Sequence, residues 1–136
     1  MNEAAPLTGG CLCGRTRYQC GPPTSPSTLC HCRSCQRATG AHVVAWMTVQ
    51  RSAVQWLGEP AAVFESSPGV LREFCARCGT PLSYRRVASY GDHVDLTIAS
   101  LDQPSAIEPI DQIWLEDAAA WESKLGQLPR HARKRA

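Results

Sequence analysis

Alternating apolar and polar side chains predict short β-strands along most of this chain. The clearest alternation covers residues 93–99, where Val94, Leu96 and Ile98 would share one face and the polar residues between them would share the other. Residues 42–49 are apolar and rich in β-branched side chains, which predicts a buried strand. Weaker patterns predict four further strands, at residues 15–19, 62–65, 70–74 and 82–85.

Helical patterns are sparse. One or two helical turns are predicted after Cys32, ending at Gly40, because glycine favours the left-handed conformation that closes a helix. A second short helix is predicted over residues 118–125, between Asp117 and Gly126. The chain has no internal repeat and no long linker, so the pattern predicts a mainly β single domain with short helices.

The distribution of charge argues against a nucleic-acid-binding surface. The formal net charge is +2, but four basic residues fall within the last seven positions, and the rest of the chain carries −2. Phosphate binding is driven by clustered Lys and Arg, which the body of the chain lacks. We therefore interpret the basic residues as a solvated, flexible tail.

The sequence gives no sign of a membrane or secretory protein. No apolar run approaches the roughly 20 residues of a membrane helix, and the first residues lack the basic and apolar regions of a signal peptide. The expected location is therefore the cytoplasm. Thiols stay reduced there, so the eight cysteines indicate metal binding or catalysis rather than disulfides.

Four cysteines fit a closed, structural zinc site. Cys75 and Cys78, followed by Gly79, form a zinc knuckle in which the glycine permits a tight backbone turn. Cys11 and Cys13, which are also flanked by glycines, supply a second pair. The long separation between the pairs is no obstacle, because each doubling of loop length costs only ~0.6 kcal/mol. Four thiolates complete the tetrahedral coordination that structural zinc prefers.

Three other cysteines fit a zinc site with an open position. Cys30, Cys32 and Cys35 are spaced so that their sulfurs can converge on one ion, and no fourth cysteine remains in a comparable motif. Three protein ligands with one open position are typical of catalytic zinc, where water or substrate binds the metal.

A fourth ligand for this second site remains an alternative. His31 is one candidate, although on an extended backbone its side chain would point away from those of its two cysteine neighbours. His42 and His93 are more distant candidates. Cys20 belongs to no motif and is interpreted as a lone buried thiol that packs as a small apolar side chain.

Three cysteine motifs, in this order and spacing, carry a family resemblance. They are Gly9-Gly10-Cys11-x-Cys13-Gly14, Cys30-His31-Cys32-x-x-Cys35-Gln36 and Phe74-Cys75-x-x-Cys78-Gly79-Thr80-Pro81. Together with the segments 94–102 and 113–114, they resemble the glutathione-dependent formaldehyde-activating enzyme family, which includes centromere protein V. The resemblance covers about residues 9–121.

The resemblance implies a β-tent fold with two zinc ions per chain. It places the zinc domain at residues 9–125, between an N-terminal extension at 1–8 and a basic tail at 126–136. The structural zinc ligands implied are Cys11, Cys13, Cys75 and Cys78. The implied ligands of the second, catalytic zinc are Cys30, Cys32 and Cys35.

The implied activity is that of a carbon–sulfur lyase which forms or cleaves S-(hydroxymethyl)glutathione. Glutathione would be the co-substrate and formaldehyde the aldehyde, and the thiolate of glutathione would attack the carbonyl carbon. Arginines near the motifs are candidates for binding the glutathione carboxylates: Arg33, Arg37, Arg85 and Arg86. The alternatives are a glutathione carrier without turnover and a non-catalytic zinc-binding module that engages a macromolecule.

Overall fold

The computed structural model describes residues 5–135, which form ten strands in two sheets. In chain order the strands are β1 (Leu7–Gly10), β2 (Thr16–Cys20), β3 (Thr28–Cys30), β4 (Val44–Gln50), β5 (Gln55–Gly58), β6 (Ala61–Ser67), β7 (Val70–Cys75), β8 (Pro81–Arg86), β9 (His93–Thr97) and β10 (Asp111–Ile113). All six predicted strands are present, with ends shifted by no more than two residues. The predicted mainly β, single-domain fold with short helices is confirmed.

The two sheets differ in size and in strand direction. The smaller sheet has the order β1-β2-β5 and is antiparallel throughout. The larger sheet has the order β10-β3-β4-β9-β8-β7-β6. Its neighbouring strands are antiparallel except at one edge, where β10 runs parallel to β3. This parallel pair joins two parts of the sequence that lie 83 residues apart.

The helices are short, as predicted. α1 (Arg33–Thr39) ends at Gly40, whose φ of 73° is left-handed and whose N–H donates to Gln36 O at 2.7 Å. The helix predicted over 118–125 is a 3₁₀ helix at Ala120–Gln127. Four shorter 3₁₀ helices are also present within residues 5–135, at Arg51–Ala53, Ile98–Ser100, Pro104–Ala106 and Leu115–Asp117. None of the helices described is long and apolar enough to cross a membrane.

The main core lies between the two sheets. Tyr18 and Cys20 of β2 are buried together with Met47 of β4 and with Val94 and Leu96 of β9. The predicted apolar face of β9 is therefore confirmed. Cys20 is 1% exposed within this apolar cluster, as expected for a lone buried thiol.

The opposite face of the larger sheet is partly covered, which differs from the expectation for a half-exposed strand. A row of side chains in register crosses five neighbouring strands: Thr48, Asp95, Tyr84, Arg72 and Phe64. Two charged members of this row, Asp95 and Arg72, are buried. Cys35 of α1 contacts Arg72, and Tyr90 contacts Asp95. A second, smaller cluster lies beside them around Cys30, Cys35 and Trp46.

The predicted N-terminal extension and the predicted basic tail differ in structure. β1 begins at Leu7, inside the predicted N-terminal extension, and pairs with β2 through Leu7 and Cys20. Residues 129–135 are exposed and contain no helix or strand. Residues 1–4 and 136, which belong to the predicted extension and tail, fall outside the described residues. The domain boundaries remain predictions.

Candidate metal centres and their cavity

The four cysteines of the predicted structural site lie together in the structure. Their Sγ atoms all fall within 4.8 Å of one another, although the two pairs come from distant parts of the chain. Cys13 Sγ is 3.5 Å from Cys11 Sγ and 3.7 Å from Cys75 Sγ. We call Cys11, Cys13, Cys75 and Cys78 the four-cysteine group. It joins the turn between β1 and β2 to the end of β7 and the turn that follows it.

The backbone around Cys75 and Cys78 favours the thiolate forms of these two cysteines. The Arg77 and Cys78 amides both donate to Cys75 Sγ at 3.4 Å, and the Cys78 amide contributes most to lowering the pKa of Cys75. The Thr80 hydroxyl lies 3.2 Å from Cys78 Sγ and, with its backbone, lowers the pKa of Cys78 to about 5. Gly79 makes this turn possible, because its φ of 80° is strained for other residues.

The other three cysteines converge at the start of α1. Cys30 ends β3, Cys32 caps the helix and Cys35 lies in its first turn. The Cys35 amide donates to Cys32 Sγ at 3.3 Å, and the Sγ atoms of Cys30 and Cys35 are 3.7 Å apart. We call these residues the three-cysteine group. Within residues 5–135, no fourth Cys, His, Asp or Glu ligand atom lies within 4.8 Å of all three sulfurs.

The histidines considered as a fourth ligand are directed elsewhere. His31 is fully buried, with Nε2 2.9 Å from Gln112 Oε1. Its Nδ1 lies 3.1 Å from Glu122 Oε2, but this contact is not aligned as a hydrogen bond. His42 Nδ1 lies 3.0 Å from the same Glu122 oxygen, and His93 Nδ1 lies 2.9 Å from a backbone carbonyl oxygen. These histidines therefore do not join the three-cysteine group.

A buried arginine contacts the three-cysteine group, and sequence reasoning missed it. Arg72 is 8% exposed, and both of its terminal nitrogens lie 3.8 Å from Cys35 Sγ. Its Nε donates to Ser66 Oγ at 3.1 Å, and its guanidinium lies 4.8 Å from the ring centroid of Tyr84. The pKa of Cys35 is lowered to about 5, first by hydrogen bonding with Cys30 and further by the charge of Arg72.

The three-cysteine group opens into a cavity of about 580 Å³. The floor of the cavity is the row on the larger sheet, from Thr48 to Arg72. Of the arginines predicted to bind carboxylates, Arg33 and Arg86 line this cavity. The other two do not: Arg37 lines a groove beside α1, and Arg85 lies among residues on the opposite face of the sheet.

The C-terminal segment forms one wall of the cavity. Pairing of β10 with β3 places Ile113 directly beside Cys30. Trp114, which lines the cavity and is half exposed, has a left-handed φ of 59°, an uncommon conformation for a bulky residue. Asp117 also lines the cavity, and its backbone carbonyl accepts a hydrogen bond from Gln36 of α1 at 3.1 Å. This wall therefore completes the cavity beside the three-cysteine group.

Comparisons with known proteins agree with the cysteine motifs. The sequence model of the family described as glutathione-dependent formaldehyde-activating enzyme matches residues 6–117. No curated protein matches the chain significantly. A crystal structure of a Rhodobacter sphaeroides protein from a structural genomics programme matches with a TM-score of 0.62 and 19% identity. The match covers 77% of this chain and 98% of that protein, and it supports the fold alone.

Proposed function

Because the chain belongs to the glutathione-dependent formaldehyde-activating enzyme family, we propose that it is a zinc-dependent carbon–sulfur lyase. Its reaction would form and cleave S-(hydroxymethyl)glutathione, with glutathione and formaldehyde as substrates. The observation that carries this proposal is the three-cysteine group, which has three convergent sulfurs, no fourth ligand within the described residues and a cavity in front of it.

The chemistry of the donors fits two zinc ions. Sets of thiolates select zinc over the hard cations that prefer oxygen ligands, and four of them form a closed structural site. The four-cysteine group has this composition, and two backbone N–H groups favour the thiolate of Cys75. The three-cysteine group leaves one position open. Zinc bound there would favour the thiolate form of an entering thiol.

The side chains around the cavity suit an anionic thiol. The volume of about 580 Å³ is in the range of small-molecule sites. Arg33 and Arg86 are exposed at the cavity and are available for the carboxylates of glutathione. Arg72 is buried against Cys35, where its positive charge offsets the negative charge of the sulfurs. We therefore expect these three arginines to bind and orient the thiol.

Calorimetric titration with glutathione tests the binding step. The zinc-loaded protein should bind glutathione, and S-methylglutathione should bind poorly because its sulfur cannot become a thiolate. Cys32→Ala should abolish binding while leaving the circular dichroism spectrum unchanged. Cys20→Ala is the matched control, because Cys20 lies in the main core and belongs to neither group. No binding of glutathione at millimolar concentration would contradict the proposal.

Exchange spectroscopy tests the chemical step. With ¹³C-formaldehyde and glutathione, the zinc-loaded protein should increase the rate at which formaldehyde and its adduct interconvert, measured by NMR. The increase should disappear in Cys32→Ala. Binding of glutathione without faster exchange would indicate the alternative function, a carrier of glutathione.

A further inference from the structure

A buried carboxylate lies in the floor of the cavity and has no role in the proposal above. Asp95 belongs to β9, in the interior of the larger sheet, and is 9% exposed. It lines the same cavity as the three-cysteine group. Aspartate is rarely so buried unless it is paired with a positive charge or has a function.

Asp95 is held by hydroxyl groups and not by a cation. Thr48 Oγ1 donates to Oδ1 at 2.7 Å, and the Tyr90 hydroxyl donates to Oδ2 at 3.0 Å. Within residues 5–135 it forms no ion pair with a basic side chain. Arg72 belongs to the same row but is two strands away and is engaged with Cys35 and Tyr84.

The surroundings of Asp95 raise its pKa above that of an ordinary aspartate. Burial raises the pKa of Asp95, and the hydrogen bonds from Thr48 and Tyr90 oppose that rise. Of the charged groups around it, Cys35 as a thiolate raises the pKa further and His93 lowers it. A raised pKa brings a carboxylate nearer to the operating pH, which improves it as a proton acceptor and donor.

The proposed reaction needs such a group because a proton must move between two substrate atoms. When a thiol adds to formaldehyde, a carbon–sulfur bond forms and the π bond of the carbonyl breaks. The sulfur loses one proton and the carbonyl oxygen gains one, so no oxidant, reductant or further reactant is required. One carboxylate that accepts the first proton and returns it to the oxygen completes the balance.

We propose that Asp95 is a catalytic residue of this reaction, and the inference rests on the proposed function. The Asp95 carboxylate accepts the proton of the glutathione thiol and gives it to the oxygen of the hydroxymethyl group. In the reverse direction it takes the hydroxyl proton as the carbon–sulfur bond breaks. A purely structural role would be to hold Thr48 and Tyr90 in place. An amide of the same size can fill that role if its oxygen accepts from one hydroxyl and the other hydroxyl turns to accept from its NH2 group.

Asp95→Asn separates the catalytic role from the structural one. The variant should bind glutathione within about twofold of the unmodified protein by calorimetry. Its rate of formaldehyde exchange should fall by roughly 10²–10⁴, the usual contribution of a general acid–base group. Exchange within threefold of the unmodified rate would overturn the inference and leave the proposed function intact. Absence of glutathione binding or exchange in the unmodified protein would instead overturn the proposed function, and the inference with it.

Tyr90→Phe provides a second test that does not depend on the folding of the asparagine variant. It removes one hydrogen bond that favours the charged carboxylate, so the pKa of Asp95 should rise. Exchange requires the carboxylate form of Asp95, so the acidic limb of the pH profile of the exchange rate should move to higher pH. Ser89→Ala, in the same loop, is the matched control and should leave the profile unchanged. An unchanged pH profile in Tyr90→Phe would overturn the inference.

Discussion

Replacing Cys75 with serine should prevent this chain from folding. Cys75 contributes one of four sulfurs that tie the smaller sheet to the end of β7. Zinc binding to structural sets of this kind contributes about 10–16 kcal/mol, whereas a whole domain is stable by only about 5–15 kcal/mol. Losing a substantial part of the free energy of zinc binding would therefore remove as much free energy as the whole folded domain has to spare over the unfolded chain.

Two further serine variants make this prediction specific. Cys20→Ser places the same hydroxyl in the main core, away from both groups, and should cost about 1–3 kcal/mol for an unpaired buried polar group. Cys35→Ser removes a sulfur from the three-cysteine group and should leave a folded chain that has lost its activity, because the four-cysteine group remains complete.

Thermal unfolding followed by circular dichroism, with soluble yield as a second measure, distinguishes the three variants. Cys20→Ser and Cys35→Ser should unfold cooperatively at lower temperature than the unmodified protein. Cys75→Ser should be insoluble or show no cooperative transition, and excess zinc should not restore one. Equal damage from Cys75→Ser and Cys35→Ser would refute the division into a structural and a functional site.

Three further predictions follow from the same structure. A mild chelator should remove metal from the three-cysteine group first, since three ligands hold an ion less firmly than four; metal analysis of the partly stripped, still folded protein checks the order. Arg72→Met should weaken metal binding by the three-cysteine group by roughly 10–100-fold in a chelator competition, while Arg85→Met, on the opposite face, should not. Because the pKa of Asp95 is raised in the folded state, the free energy of unfolding should fall as pH rises from the ordinary aspartate range through that raised pKa. Urea melts across pH should show this fall in the unmodified protein and not in Asp95→Asn. Parallel curves for the two proteins would contradict the prediction.

The cysteine groups could be predicted from the sequence because their signal is local. Two thiols three positions apart and a following glycine define a knuckle such as that of Cys75, Cys78 and Gly79 wherever the fold places them. The longer strands were predictable for a similar reason, since an alternation over five or more residues outweighs chance. The helix after Cys32 was marked by its closing residue, Gly40.

The cavity could not be predicted, because its residues meet through pairing over long distances. β3 and β10 contain three residues each, too few for an alternating pattern, and their parallel pairing has no turn to mark it. Arg72 and Asp95 occupy polar positions of alternating strands, which normally face solvent. Cys35 of α1, the C-terminal segment and Tyr90 make part of that face the lining of a cavity.

The late position of β10 in the chain has a consequence during synthesis. Both sets of cysteines lie within the first 78 residues, whereas the wall beside Cys30 requires Ile113. At about 5–20 residues per second, the 78 residues from Cys35 to Ile113 take roughly 4–16 s to translate. During that time the thiols of the three-cysteine group are present without the wall that covers one side of them. A nascent chain is therefore more exposed to thiol oxidation than the finished protein, and early metal binding would protect it.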